Sequence, residues 1–262
     1  MKLGSLPYLN VKPLVYSLEH GGLPHGWELV YAAPAELADM LARGEVAVAP
    51  VSSFACFENP QLGICPGICI AAYGPVKSVL MLSKKPLDTV GTVALDTSSL
   101  SGANMLKIIL DEAYNLRPEF IRLPPGAVAG MLDEADAVLV IGDQAMLCPK
   151  DGLFVLDLAE EWGKLTGLPA VFAVWAGPGI TPEVIDILHD AKREGISALE
   201  QIAREESARL GLAFETCHNY LSQVMIYDLG DREMLGLKLF RDKSIEHGLV
   251  KSTSADIEVA AR

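Results

Sequence analysis

Five short segments place small polar residues where a strand gives way to a helix or a turn. They are PYLN (7–10), PVSS (50–53), GPVKSV (74–79), TSSLSGAN (97–104) and IGDQ (141–144). Asn, Ser and Asp at such junctions are ordinary helix caps. The same positions also stand beside the unpaired amides of a helix first turn, where anions are held without cations. Any one of the five reads as a cap; five in one chain point to a ligand site. Asn10 and Pro13 put the question sharply, since a turn uses both types and an amide at a helix start can also face a ligand.

Other familiar chemistries are missing from the sequence. It has no GxSxG elbow, no Walker loop and no GxGxxG after a strand. Gly177-Pro178-Gly179 has the wrong spacing for a dinucleotide and reads as a turn. Glu160–Glu161 and Glu205–Glu206 read as solvated helix faces, and His218 as a structural hydrogen-bonder. Cys65 and Cys69 are separated by three residues, which is not the spacing of a metal knuckle, and no His pair accompanies them. The five cysteines read as reduced, mostly buried thiols, and no metal site is expected.

Short apolar runs alternating with helical patterns must position these junctions, which is the signature of an α/β fold. Strands are expected at 1–5, 27–32, 46–53, 64–73, 76–86, 92–96, 119–124, 137–141 and 168–177. Helices are expected near 11–19, 34–44, 102–115, 127–132, 142–147 and 156–167, with Gly167 as a stop. Only helices are read beyond Pro182, the last near 230–247, followed by a frayed tail over 251–262.

The middle of the chain holds a βαβαβ set of its own, entered and left by strand-like segments at 76–83 and 170–176. The helical final third then has no strands to pack on unless it returns to the first sheet. Two lobes with a ligand cleft between them satisfy both conditions. This is the layout of a type II periplasmic-binding-protein fold, with 1–82 plus 177–262 in one lobe and 83–176 in the other.

At 262 residues and 50% hydrophobic, the chain can bury a sizeable core. A formal charge of −13 argues against nucleic acid and offers an anionic substrate no long-range steering, so an anion site must be built locally. The long uncharged stretch 59–76 is broken by prolines and glycines, so no membrane span is expected. No basic n-region leads into an apolar run at the start, so no secretory signal is read and a cytoplasmic location is expected. The apolar C-terminal helices would permit a homodimer.

Six blocks occur in order: SLPYLNVKPL, APVSS, GPVKSVLMLS, DTSSLSGANML, DAVLVIGDQAM and DLAEEWGKLTGLPAVFAVWA. Together they resemble the chorismate dehydratases of the futalosine route to menaquinone. The related dihydroxynaphthoate synthases carry a different first block, typically with a Cys-Pro-Asn run. The resemblance implies a lyase that converts chorismate to 3-[(1-carboxyvinyl)oxy]benzoate and water without a cofactor. It further implies that the Asn10 amide contacts the reacting part of the substrate. Ser53, Ser78, Ser101 and the amides of Gly102 and Ala103 would hold carboxylates, with Gly142 and Asp143 lining the other lobe. Asp143 is then the one candidate general base at a motif position, the alternative being that a substrate carboxylate takes the proton. The chain departs from the family pattern at Ser101-Gly102, where Thr-Ser is usual, and at Val11, where Thr is frequent. Two other readings use the same fold: a non-enzymatic binding protein for a small anion, and the naphthoate synthase of the same pathway.

Overall fold

The computed structural model describes residues 1–96, 98–124, 126–250, 257, 259 and 260. The chain begins with β1 (Lys2–Ser5), a 3-10 turn (Leu9–Val11) and α1 (Lys12–Ser17), whose second residue is Pro13. Proline suits that place because the first helical amides have no intrahelical partner to lose. Next come β2 (Glu28–Tyr31), α2 (Pro34–Ala42), β3 (Ala49–Ser52), α3 (Ser53–Glu58) and β4 (Gly63–Ala72). β5 (Val79–Ser83), β6 (Thr92–Asp96), α4 (Leu100–Tyr114), β7 (Glu119–Leu123), α5 (Val128–Glu134), β8 (Ala137–Ile141), α6 (Gly142–Leu147), β9 (Phe154–Asp157) and α7 (Leu158–Thr166) follow. The chain then runs through β10 (Ala170–Gly177), α8 (Pro182–Ser197), α9 (Leu199–Leu210), α10 (Phe214–Asn219), β11 (Met225–Ile226) and α11 (Asp231–Glu246).

Five strands form one sheet in the order β7-β6-β8-β5-β9, with β5 antiparallel to both neighbours and β6 parallel to β7 and β8. The other lobe repeats the pattern. β1 and β2 are parallel, β1 meets β3 through Gly4 N–H donating to Val48 O (2.8 Å) and Ala47 N–H to Lys2 O (2.9 Å), and β10 lies antiparallel between β3 and β4. Each sheet therefore receives, between its third and fourth strands, the first strand the chain makes after entering that lobe.

This arrangement moves the expected lobe limits. Val79–Ser83 pairs wholly within the second sheet and Ala170–Gly177 wholly within the first, so by strand pairing the passages fall at 73–78 and 167–169 rather than at 82/83 and 176/177. An extended approach to a sheet and the strand inside it look alike in sequence, because both are apolar and β-branched.

The helical final third returns to the first lobe, as its lack of strands requires. α8 packs on α1 so closely that a Cβ at Gly195 would collide with the Pro13 carbonyl. α11 seats Phe240 against Trp162 of α7 (5.6 Å) and Phe57 of α3 (5.3 Å), joining helices from both halves of the chain in one core. Three elements differ from expectation. Residues 53–58 leave the third strand as a helix, 154–157 form a strand ahead of α7, and Met225–Ile226 adds a short strand to β4. The tail over 251–262 lies mostly outside the described residues, although Ala260 N–H donates to Ile64 O at 3.0 Å. Among the described residues no helix is long and apolar enough to cross a membrane.

Candidate active site

A cleft with about 680 Å³ of empty space, its mouth included, opens between the lobes. The first lobe contributes Tyr8, Asn10 and Ser52, the first passage Ser78, and the second lobe Ser98, Ser99, Ser101, Gly102 and Gly142. Leu6, Ile70, Val79, Ile141, Phe172 and Met225 form an apolar wall beside them. Among the described lining residues there is no Asp, Glu, His, Lys, Arg or Cys, and the only ionisable group is the Tyr8 hydroxyl. Burial first, and then Asp96 and Asp143, push Tyr8 above the ordinary tyrosine range, so it stays protonated at neutral pH.

Asn10 sits in the middle of the 3-10 turn, not at a helix cap. Its Oδ1 is buried with no partner, and its side chain lies close enough to the Tyr220 hydroxyl to lower the pKa of that group. A buried amide oxygen left unpaired costs about 1–3 kcal/mol, and a bound ligand would recover that loss. Tyr220 is itself buried and donates to Ser78 Oγ at 2.8 Å. Burial raises its pKa, against the pull of Ser78 and Asn10, so it remains a donor and fixes how Ser78 meets the cleft.

α4 points its N-terminus at the same space. Ser99 occupies the cap position but makes no side-chain capping bond, and fifteen residues of helix stand behind it. The first-turn amides therefore lack protein partners inside the helix and carry the positive end of its dipole. Ser98 is held in place by Asp96, whose Oδ1 accepts its N–H at 2.8 Å and its Oγ–H at 2.6 Å. Gly102 is needed here, because a Cβ would stand 2.5 Å from Ser99 Oγ and 3.3 Å from Val79 Cγ1. Gly142 has φ +61° with the Tyr8 ring beside it, so a side chain there would be both strained and crowded.

The cleft brings together Asn10, Ser78, Ser101, Gly102 and Gly142 of the expected set. Three others lie elsewhere. Ser53 is wholly buried with an unpartnered hydroxyl, and its neighbour Ser52 reaches the cleft instead, with its Oγ 2.7 Å from Ser101 Oγ. The reason is local: 53 opens α3, which turns its side chain inward. Ala103 is buried one step along α4 from the cleft. Asp143 turns away from the cavity, its Oδ1 accepting Leu9 N–H at 2.9 Å and its Oδ2 facing Arg209 at 3.0 Å. Sequence reasoning passed over Tyr8, Ser52, Ser98 and Ser99, although all four lie within the quoted segments, and Tyr220, for which no local signal exists. Ser101 has a second tie, accepting the Phe54 N–H at 3.3 Å across the cleft. No group of three or more His, Cys, Asp or Glu placed to hold a metal ion occurs among the described residues.

Among solved structures, a protein from Archaeoglobus fulgidus superposes with a TM-score of 0.77 at 20% identity, covering 95% of this chain and 98% of that one. The periplasmic aliphatic sulphonate binding protein SsuA from Escherichia coli gives 0.65 at 19% identity, covering 100% and 92%. These likenesses establish the α/β periplasmic-binding-protein type of fold. Chorismate dehydratase from Thermus thermophilus is 34% identical over 92% of this chain and 93% of its own length. The enzyme of the same name from Campylobacter jejuni is 25% identical over 92% and 96%. A family profile described as menaquinone biosynthesis matches residues 1–246. The match spans both lobes and every cleft segment, and the chain belongs to the chorismate dehydratase family of menaquinone biosynthesis.

Proposed function

We propose that this chain dehydrates chorismate to 3-[(1-carboxyvinyl)oxy]benzoate, as a hydro-lyase of menaquinone biosynthesis in the cytoplasm. Family membership supports the reaction, and one observation carries the way this cleft would perform it. The cavity offers hydroxyls, an unpartnered amide oxygen and a helix N-terminus, with no ionised side chain among its described lining residues. Such a lining can hold a dicarboxylate by hydrogen bonds and the α4 dipole while its apolar wall takes the ring.

The first-turn amides of α4, with the uncommitted Ser99 hydroxyl, hold one carboxylate, and Ser78 and the Gly142 backbone flank the ring. Asn10 Oδ1 accepts the hydrogen bond of the C4 hydroxyl and fixes the orientation of the C4–O bond. A substrate carboxylate takes the C3 proton, since Asp143 faces away and Tyr8 stays protonated. The C3–H electron pair becomes the new ring double bond, the C4–O bond breaks, and the departing hydroxide leaves as water with the proton just removed. Aromatisation supplies the drive, so the protein contributes mainly orientation.

The test is incubation of the purified protein with chorismate, followed by mass analysis. A product lighter by one water with new aromatic absorbance is expected, and Asn10→Ala should slow turnover about 100-fold with thermal stability retained. Chorismate recovered unchanged although it binds would make this a binding protein, and no binding at all would remove the substrate assignment.

A further inference from the structure

Asp143 lies outside the cavity and yet touches the turn that carries Asn10. Leu9, which donates to it, belongs to the first lobe, while Asp143 lies in the first turn of α6 in the second. Arg209 reaches Asp143 from α9, a helix packed on α1. The same guanidinium pairs with Glu206 at 2.6 Å, Glu206 faces Lys12 at 3.9 Å, and Lys12 pairs with Glu19 at 2.8 Å. One chain of charges thus grips the turn before and after Asn10: Leu9 through Asp143, and Lys12, two residues beyond Asn10, through Glu206 and Glu19. These groups are sheltered, the Asp143, Glu206 and Lys12 side chains being 14%, 9% and 18% exposed. The Asn10 side chain is held weakly, since its Oδ1 is buried without a partner. Its orientation is set by the backbone of the turn.

We infer that Asp143 is a positioning residue that couples lobe closure to the placement of Asn10. With the lobes together, its carboxylate accepts the Leu9 N–H and pins the turn, and Arg209 aims the carboxylate from the first lobe. When the lobes part, α6 carries Asp143 away, the Leu9 amide is released to water, and Asn10 loses its register with the cleft. A substrate in an open cleft is then bound but not turned over. The inference rests on the role given to Asn10 above.

Wild type, Asp143→Ala and Asp143→Asn are compared by kcat and KM for chorismate, and by hydrogen exchange of the Leu9 amide. Asp143→Ala should lower kcat about 10- to 100-fold, the size of effect expected of a misplaced reacting group, with a smaller change in KM and faster exchange at Leu9. Asp143→Asn keeps a side-chain oxygen for that amide, and it should restore slow exchange and most of kcat. Wild-type kcat and slow Leu9 exchange in Asp143→Ala would overturn the inference. So would an Asp143→Asn variant as inactive as Asp143→Ala with Leu9 still protected, because Asp143 would then be moving a proton. If the wild type does not turn over chorismate, the functional reading fails alone, and Leu9 exchange in Asp143→Ala still decides the clasp.

Discussion

At the scale of single residues, the cleft depends on how close the backbone of one lobe can come to a ligand. Gly102 lets the first turn of α4 lie against Ser99 and Val79 with its amides bare, in space that a Cβ would fill. Gly102→Ala should therefore displace Ser99 and raise KM for chorismate about tenfold, the equivalent of about 1.4 kcal/mol, with little change in melting temperature. Steady-state kinetics beside a thermal melt would check it. An unchanged KM would mean the carboxylate is held elsewhere. Ser101, by contrast, spends its hydroxyl on Ser52 and Phe54 across the cleft, so its side chain ties the lobes while its amide belongs to the anion site.

At the scale of elements, the second sheet is stitched at one edge by Asp136, which leads into β8. Its carboxylate takes Lys85 Nζ at 2.5 Å and the N–H groups of Gly91 and Thr92 at 2.9 and 3.2 Å. The Lys85 contact first, and then the Gly91 and Thr92 amides, hold Asp136 below the ordinary carboxyl value of 3.8. A lowered carboxyl contributes stability that is fully present above that value and is lost as pH falls through the folded pKa. Asp136→Asn should therefore flatten the part of the acid-unfolding curve below about pH 3.8, measured by circular dichroism. The elements themselves were largely legible. TVALD and AVLVI are short apolar runs bounded by polar turns, and GDQAML begins at the Gly that stops a strand. FVLD was hidden because it runs into the amphipathic pattern of α7, and a two-residue strand such as Met225–Ile226 has no pattern to read. Among the site residues, the segments were visible but their facing was not. Whether Ser52 or Ser53 meets the cleft, and whether Asp143 looks in or out, depends on the residue at which the following helix starts.

On the scale of the whole molecule, the first passage between the lobes is braced by Asp157. Asp157 caps α7 and reaches back across the first passage, accepting Val76 N–H at 3.0 Å and Lys77 N–H at 2.7 Å as well as Ala159 N–H at 3.1 Å and Glu160 N–H at 3.3 Å. Lys77 is held there at φ +64°, a conformation few side chains accept. Asp157→Ala would free four amides, two of them in that passage. Stability should fall by about 1–3 kcal/mol, and the radius of gyration in solution scattering should grow as the lobes sample wider angles. A melting loss with an unchanged scattering profile would make Asp157 a plain helix cap.

The strand β10 in the middle of the first sheet has a consequence for how the chain is made. The second sheet is built from one continuous stretch and can close as soon as β9 has left the ribosome. The first sheet cannot, because its β3 and β4 have no strand between them until residues 170–177 emerge. Synthesis therefore completes the middle of the protein before its beginning. For about a hundred residues of elongation the nascent N-terminal segment carries bare edges on β3 and β4, and that interval is when aggregation or chaperone capture competes with folding.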